Sequence, residues 1–427
     1  MPKSNRFPFD SCEFLDTVPC APYNTNEYLT ESGEHMPAGN QTLLKQNNQR
    51  AIAKYIIEHG PISRADLSKK LSISKPTVSA NITALIERDL LMEIGFSESE
   101  IGKKPMLVDF NKNVRYVLVL DFISYITRGR IPVAVCNLYC EPIFIDFISL
   151  PPDFSGVWID SEVPRQIDAL CKAHHIPHEQ IGKLVITAPT SCYDEQHIPF
   201  ECRNGDKINL ADVFHEQFAG KIAVKNDIDL AALGEKHFGV GKHVDNLLFA
   251  WIGLAIGGGL ILNGNLYEGH AHSGGELAYS IVYNDWLHRY DELQNITSLE
   301  GIRRYIAAHP EEAAASVLAP HFKNDTFYLD MMIEAAANGD IFCIQFAKDT
   351  ARVVARVIAN LAYTLNLQMV IIGGEYTGFG SILTDTVMHC LAQIPLPPPA
   401  VTIPFYTNSA MYGAFRFGAD SILKTLI

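Results

Sequence analysis

Two stretches of this 427-residue chain hold side chains whose types and order could do chemistry. One, running from Ile252 to Tyr279, reads IGLAIGGGLILNGNLYEGHAHSGGELAY. It opens on a glycine-rich turn of the kind whose backbone N–H groups cradle phosphate, and it closes on a carboxylate, Glu276, set among small residues. The other, VKNDIDLAALGE, places Asn226 and Asp227 where a strand gives way to a helix. A carboxylate there can hydrogen-bond a ligand hydroxyl without a tuned pKa, or Asp227 or Asp229 can cap the helix that follows.

Elements must position such groups, and the first to be read lies far upstream. In NQRAIAKYIIEHGPISRADLSKKLSISKPTVSANITALIERDLLMEIG, the residues Ile52, Tyr55, Ile56 and Ile57 recur at helical spacing, and His59-Gly60-Pro61 ends that helix. Ser63 is a good N-cap for a short second helix. Ser74 caps a third, with Pro76 in its first turn, where the lost N–H costs little. LLMEIGFSESEIGKKPMLVDFN reads as two strands around a charged turn, a wing. Three helices and a wing make a winged helix-turn-helix, whose third helix enters the DNA major groove. Lys75, Thr77, Ser79 and Asn81 are its candidate base or phosphate contacts, and Lys103 and Lys104 on the wing would meet phosphate or the minor groove. The competing reading is a small helical bundle used for dimerisation.

From Val114 onward, strands and helices alternate twice over. RYVLVLDF and IPVAVCNLYCEPIFIDFISL read as a strand meander, VPRQIDALCKAHH as a helix, and IGKLVITAP and KIAVKND as buried strands. NLLFAWIGLAIGGGLILNG is a strand, a glycine turn and a strand; FAKDTARVVARVIANLAYTLN is a long amphipathic helix; MVIIGGEY is a strand ending at paired glycines. The pattern predicts two α/β lobes with a cleft between them. We place a flexible extension at 1–40, the winged helix-turn-helix at 41–112, a smaller lobe at 113–240 joined by a C-terminal helix at about 408–427, and a larger lobe at 241–407.

The net charge of −14 excludes a protein that coats nucleic acid over its whole surface. The charge is uneven, with 11 basic and 8 acidic residues from Gln41 to Lys112 against 23 and 40 in the rest. A small basic module on an acidic body suits a regulator. The nine cysteines form no CxxC pair, so reduced thiols and a cytoplasmic address are expected, and no apolar run approaches the roughly 20 residues of a membrane span.

VKNDIDLAALGE, GLAIGGGLILNGNLYEGHAHSGGEL and VIIGGEY, in that order and spacing, resemble the ROK family (repressors, open reading frames and kinases) over about residues 44–427. The leading winged helix resembles that of the family's repressors, such as the xylose and N-acetylglucosamine regulators. The resemblance implies a two-lobed actin-like ATPase fold with a sugar held in the cleft. It makes Asp227 the counterpart of the kinases' general base, next to Asn226, and Glu276 and Glu300 counterparts of two sugar-contacting carboxylates. Glu300, after Ser298, also fits an ordinary first-turn helix carboxylate. Asn204, in the loop before INLADVF, is a further sugar candidate.

The chain departs from the family's kinases at both phosphate turns. Where they carry Asp-x-Gly-x-Thr, this chain has Asp121, Ile123 and Tyr125, and neither a β-branched residue nor a bulky ring permits close backbone approach to phosphate. Where they carry Gly-Thr-Gly-Ile-Gly, Leu254 and Ala255 replace the Thr and the inner Gly. The family's zinc site is missing as well: Tyr279 replaces its His, the following segment holds no cysteine, and His288 alone makes no tetrahedral site. Either Tyr279, itself a sugar candidate, and packing by Trp286 then brace the loop that faces the sugar, or the sugar pocket is remodelled. We expect no metal, no ATP and no catalytic residue. The expected function is a DNA-binding repressor of carbohydrate-use genes, a homodimer or homotetramer on double-stranded operator DNA, with a small sugar effector and no membrane association. The alternatives are an ATP-dependent sugar kinase carrying a DNA-binding arm, and a DNA-binding protein whose lobes only dimerise.

Overall fold

The structure, a computed structural model, describes residues 41–96, 105–123, 129–188, 197–270, 272–406 and 408–427. The expected extension over 1–40, Lys103 and Lys104 on the wing, and Tyr125 lie outside the described residues. The chain forms two units that part between Val114 and Arg115.

The first unit runs α1 (Gln41–His59), β1 (Ile62–Ser63), α2 (Arg64–Leu71), α3 (Lys75–Glu87), β2 (Leu91–Phe96) and β3 (Met106–Phe110). Local chemistry sets its corners. Gly60, at φ +79°, ends α1. The Ser63 and Ser74 hydroxyls accept the N–H groups of Asp66 and Thr77, and so cap α2 and α3. Val78, Ile82 and Leu85 of α3 are buried, as are Ile52 and Ile56 of α1 and Leu67 of α2. The strands pair antiparallel in the order β1-β3-β2, a winged helix.

The second unit holds two five-stranded sheets. The first comes from β4 (Tyr116–Asp121), β5 (Arg130–Asn137), β6 (Pro142–Ser149), β7 (Ile181–Ala188) and β10 (Ile222–Asn226), in the order β10-β7-β4-β5-β6. The small hairpin β8 (Pro199–Glu201) and β9 (Lys207–Asn209) precedes β10 in the chain. Alternation along β4 divides its faces. Leu118 and Leu120 pack with Ile159, Val163 and Ile167 of α4 (Gly156–Ala173) and Phe214 of α5 (Leu210–Phe218). On the other face, α14 (Ser409–Leu426) comes so close that a Cβ on Gly418 would strike Val117.

The second sheet comprises β11 (Leu247–Ile252), β12 (Ile256–Leu262), β13 (Asn265–Leu266), β16 (Met369–Gly373) and β17 (Ala400–Thr402), in the order β13-β12-β11-β16-β17. One face, with Leu248, Ala250, Val370 and Ile372, is covered from the segment 277–391. This holds the hairpin β14 (Ile281–Asn284) and β15 (Arg289–Glu292) and the helices α7 (Leu293–Thr297), α8 (Leu299–Ala308), α9 (Pro310–Ala315), α10 (Ala319–Asn324), α11 (Leu329–Ala337), α12 (Ile341–Leu365) and α13 (Ser381–Ala392). The other face, with Leu247, Phe249, Ile261 and Ile371, packs on Ala231, Ala232 and Leu233 of α6 (Asp227–His237).

Helices α6 and α14 therefore lie back to back between the sheets. At their crossing a Cβ on Gly234 would overlap the Ser409 carbonyl, and one on Gly413 the Leu230 carbonyl. The apolar face of α6, expected with the smaller lobe, sides with the sheet of the larger one. Its short Ala-rich face fits closely over β12, whose glycines lack side chains.

Candidate functional site

The third helix of the first unit exposes Lys75 and Ser79, and leaves Thr77 half-buried against the capping Ser74 hydroxyl at 2.7 Å. Asn81 is a correction. It is only 4% exposed, and its amide donates to the Thr77 carbonyl at 2.8 Å. Position 81 stands three after Val78 and four before Leu85, which is the core-facing stripe of a helix. The structure adds a residue that sequence reasoning missed. Arg64, the first residue of α2, donates to the Ser79 carbonyl and hydroxyl at 3.1 and 3.2 Å and to the Thr83 hydroxyl at 3.3 Å. Its other guanidinium nitrogen pairs with Glu93 of β2 at 3.0 Å. One side chain thus joins the exposed face of α3 to the wing strand. No local sequence pattern marks it, because the partners stand 15 to 29 residues away.

In the second unit, glycine contacts gather the predicted pocket residues. A Cβ on Gly257 would meet Ile228, one on Gly259 would meet the Ile228 carbonyl, and one on Gly258 would meet the Gly275 carbonyl. The first turn of α6, the glycines of β12 and the Gly275-Glu276 loop are thereby brought together. Asn226 caps α6, its side-chain oxygen accepting the N–H groups of Ile228 at 2.8 Å and Asp229 at 3.3 Å. Its amide oxygen is committed to the backbone, so Asn226 holds Asp227 in place. Across the strand ends, Asp121 accepts the Thr187 hydroxyl at 2.7 Å and the Ile123 N–H at 3.0 Å.

Electrostatically the site is unusual. Asp227 keeps some exposed area, yet protein atoms crowd its carboxyl; that burial, with Asp121 as an acidic neighbour, pushes its pKa up to about 7. Asp229, 4% exposed, is likewise pushed up to about 7, first by burial and then by Glu268, with Lys225 opposing and Asp227 and Glu276 adding to the rise. Lys225 forms a close ion pair with Glu268, whose other oxygen lies 3.5 Å from His272 Nδ1. Sequence reasoning passed over Lys225, Glu268 and Asp229's surroundings.

These shifts predict a pH dependence. Between pH 4 and pH 7 the folded state holds protons that the unfolded chain has released, so stability falls as pH rises through that window and levels above it. The fall is at most about 1.4 kcal/mol per pH unit for each carboxyl. Urea midpoints measured from pH 5 to pH 8 should decline with pH, and Asp229→Asn should flatten the decline. A wild-type profile no steeper than that of Asp229→Asn would show that Asp229 titrates normally.

Among the described residues, the remaining sugar candidates make no hydrogen bond or ion pair with Asp227, Asp229 or Glu276. Asn204 is exposed in the β8–β9 turn and bonds Asp206 at 2.8 Å. Glu300 is an exposed first-turn carboxylate of α8, paired with Arg303 and Arg304, both at 3.5 Å. Tyr279 is 68% exposed. Trp286, half-buried, does pack, edge-on to Tyr305 with ring centroids 5.1 Å apart. The residues after Glu276 do not suit the family's zinc. Buried Asn284 accepts the N–H groups of Trp286 and Leu287, so an amide organises the β14–β15 turn. Among the described residues, no three His, Cys, Asp or Glu side chains gather to hold a metal ion.

Comparison with known proteins places these features. A winged helix-turn-helix DNA-binding family matches residues 46–92. The chain is 25% identical over 368 residues to the xylose repressor of Caldicellulosiruptor bescii, covering 83% of this chain and 90% of that one. It is 27% identical over 229 residues to the glucokinase of Thermotoga maritima, covering 52% of this chain and 71% of the enzyme. The crystal structure of a ROK family transcriptional regulator, a homologue of the E. coli Mlc protein, superposes with a TM-score of 0.70 at 23% identity, over 90% of this chain and 98% of that one. A winged helix-turn-helix thus precedes a sugar-kinase-like fold, and with the ROK family matching residues 164–419, more than half of its length, this chain belongs to that family.

Proposed function

We propose that this protein is a DNA-binding repressor of carbohydrate-use genes that responds to a sugar held in its kinase-like unit, and that it transfers no phosphoryl group. The observation that carries the reading is the joining, in one chain, of a winged helix with an exposed polar α3 face to a ROK fold whose first strand turn presents Ile123 instead of glycine. The extended likeness to a protein named xylose repressor supports it and makes xylose the first sugar to try. Lys75, Thr77, Ser79, Lys103 and Lys104 are the proposed DNA contacts; Asp227 and Glu276 are the core of the proposed sugar grip. A homodimer on a two-half-site operator suits the reading, since one winged helix holds one half-site weakly.

The test is binding of the full chain to the DNA upstream of its own gene, at fixed salt, with and without xylose and a panel of other sugars. Release or tightening by one sugar supports the reading. Absence of specific DNA binding together with ATP turnover on a hexose would overturn it in favour of a kinase, as the glucokinase likeness would then imply.

Arg64 supplies a second prediction. Arg64→Ala removes the brace between α3 and the wing, so operator affinity should fall about tenfold, roughly 1.4 kcal/mol. Unit stability should change by no more than about 1 kcal/mol, because the ion pair is partly exposed. Fluorescence anisotropy of labelled operator reads the first and thermal melts the second. Unchanged affinity would leave Arg64 a surface brace with no part in DNA binding.

A further inference from the structure

The turn Gly253-Leu254-Ala255, between β11 and β12, is closed from within. Gln294 of α7 reaches back across it: its amide N–H donates to the Leu254 carbonyl at 2.6 Å, and its amide oxygen accepts the Ile256 N–H at 3.0 Å. A second segment, just after β16, brings Glu375. Gly374, at φ +94°, lies against the end of β11 so tightly that a Cβ there would meet the Ile252 carbonyl. That close approach lays the next residue over the turn, and the Glu375 carboxylate fills the space that a Cβ on Gly253 would need.

A glycine turn binds phosphate by offering free backbone N–H groups to an anion that can approach the main chain. Here one of those N–H groups is already engaged and a carboxylate stands at the approach. An arriving phosphate would meet like charge and displaced donors, whereas an uncharged ligand would feel neither. We infer that Gln294 and Glu375 close the glycine turn and make this cleft selective for uncharged ligands, so that neutral sugars are admitted while nucleoside triphosphates and phosphorylated sugars are turned away. The inference rests on the reading of the cleft as a ligand site.

Isothermal titration of the full chain with pyrophosphate, Mg·ATP, glucose 6-phosphate and xylose tests it. The wild type should give no saturable heat with the three anions at millimolar concentration. The double variant Gln294→Ala/Glu375→Gln should bind pyrophosphate or Mg·ATP saturably, at least tenfold more tightly than the wild type. Saturation of the wild type by any of the three anions overturns the inference, and so does a double variant as silent as the wild type. If the double variant fails to fold, Glu375→Gln alone, which keeps the side chain's shape, should still raise pyrophosphate affinity severalfold, and no rise overturns the inference. The neutral arm is read separately: if neither xylose nor the wider sugar panel binds, the ligand-site reading fails, while the anion arms still report on the turn.

Discussion

Replacing Glu235 with alanine is expected to destabilise the second unit by roughly 3–5 kcal/mol, a large part of a domain's stability. Glu235 is wholly buried near the C-terminal end of α6. One carboxylate oxygen accepts the Val240 N–H at 3.0 Å. The other accepts the N–H groups of Phe405 at 3.0 Å and Tyr406 at 3.3 Å, and the Ser409 hydroxyl. A single side chain therefore ties the exit of α6 to the entry of α14. Alanine would leave the Val240, Phe405 and Tyr406 N–H groups without this acceptor, while the Ser409 hydroxyl keeps the Tyr406 carbonyl at 3.0 Å; each buried donor left unmade costs about 1–3 kcal/mol before relaxation. All three tryptophans, Trp158, Trp251 and Trp286, belong to the second unit, so their fluorescence in urea reports its unfolding alone. The midpoint should drop sharply with little change in slope. A drop worth less than about 1 kcal/mol would mean that water replaces the carboxylate and that the tie is not structural.

The second large effect is expected at Asp227. Asp227→Ala should weaken sugar binding about a hundredfold, near 2.7 kcal/mol, by deleting the carboxyl that the Asn226 cap holds at the mouth of α6. Operator binding without sugar should stay as in the wild type, because Asp227 lies in the other unit. The measurement is the sugar concentration that half-changes operator occupancy. Glu276→Ala should act in the same direction. If both variants respond as the wild type does, the ligand lies elsewhere.

What could be read from the sequence was what is decided locally. The caps Ser63 and Ser74, the stop at Gly60 and the strand–turn–strand around the glycines each depend on a few neighbouring residues, and each is found where those residues dictate. Asn81 shows how a local reading goes astray. Lys75, Thr77, Ser79 and Asn81 are spaced by two, a strand's period, whereas a helix turns position 81 inward beside Val78 and Leu85. The short helices α7, α9 and α10, of five or six residues, lack a periodic run long enough to announce themselves. What stayed hidden in the site is what distant segments bring. Gln294 is 38 residues from the Ile256 N–H that it holds, and Glu235 reaches a hydroxyl 174 residues on. Only the glycines hinted at such approaches, by being glycines.

The bare crossing of α6 and α14 has a mechanical consequence. With backbone against backbone at Gly234 and Gly413, no layer of rotatable side chains lies between the helices to absorb play. They are held as one rigid piece where they touch. From that crossing, at 1.5 Å per residue, Asp227 stands about 10 Å along one helix and the last turn of α14 about 20 Å along the other. The coupling is stiff along its whole length, since Ile228 on one helix sits against the β12 glycines and Gly418 on the other against Val117: the two helices form a single strut from one sheet to the other.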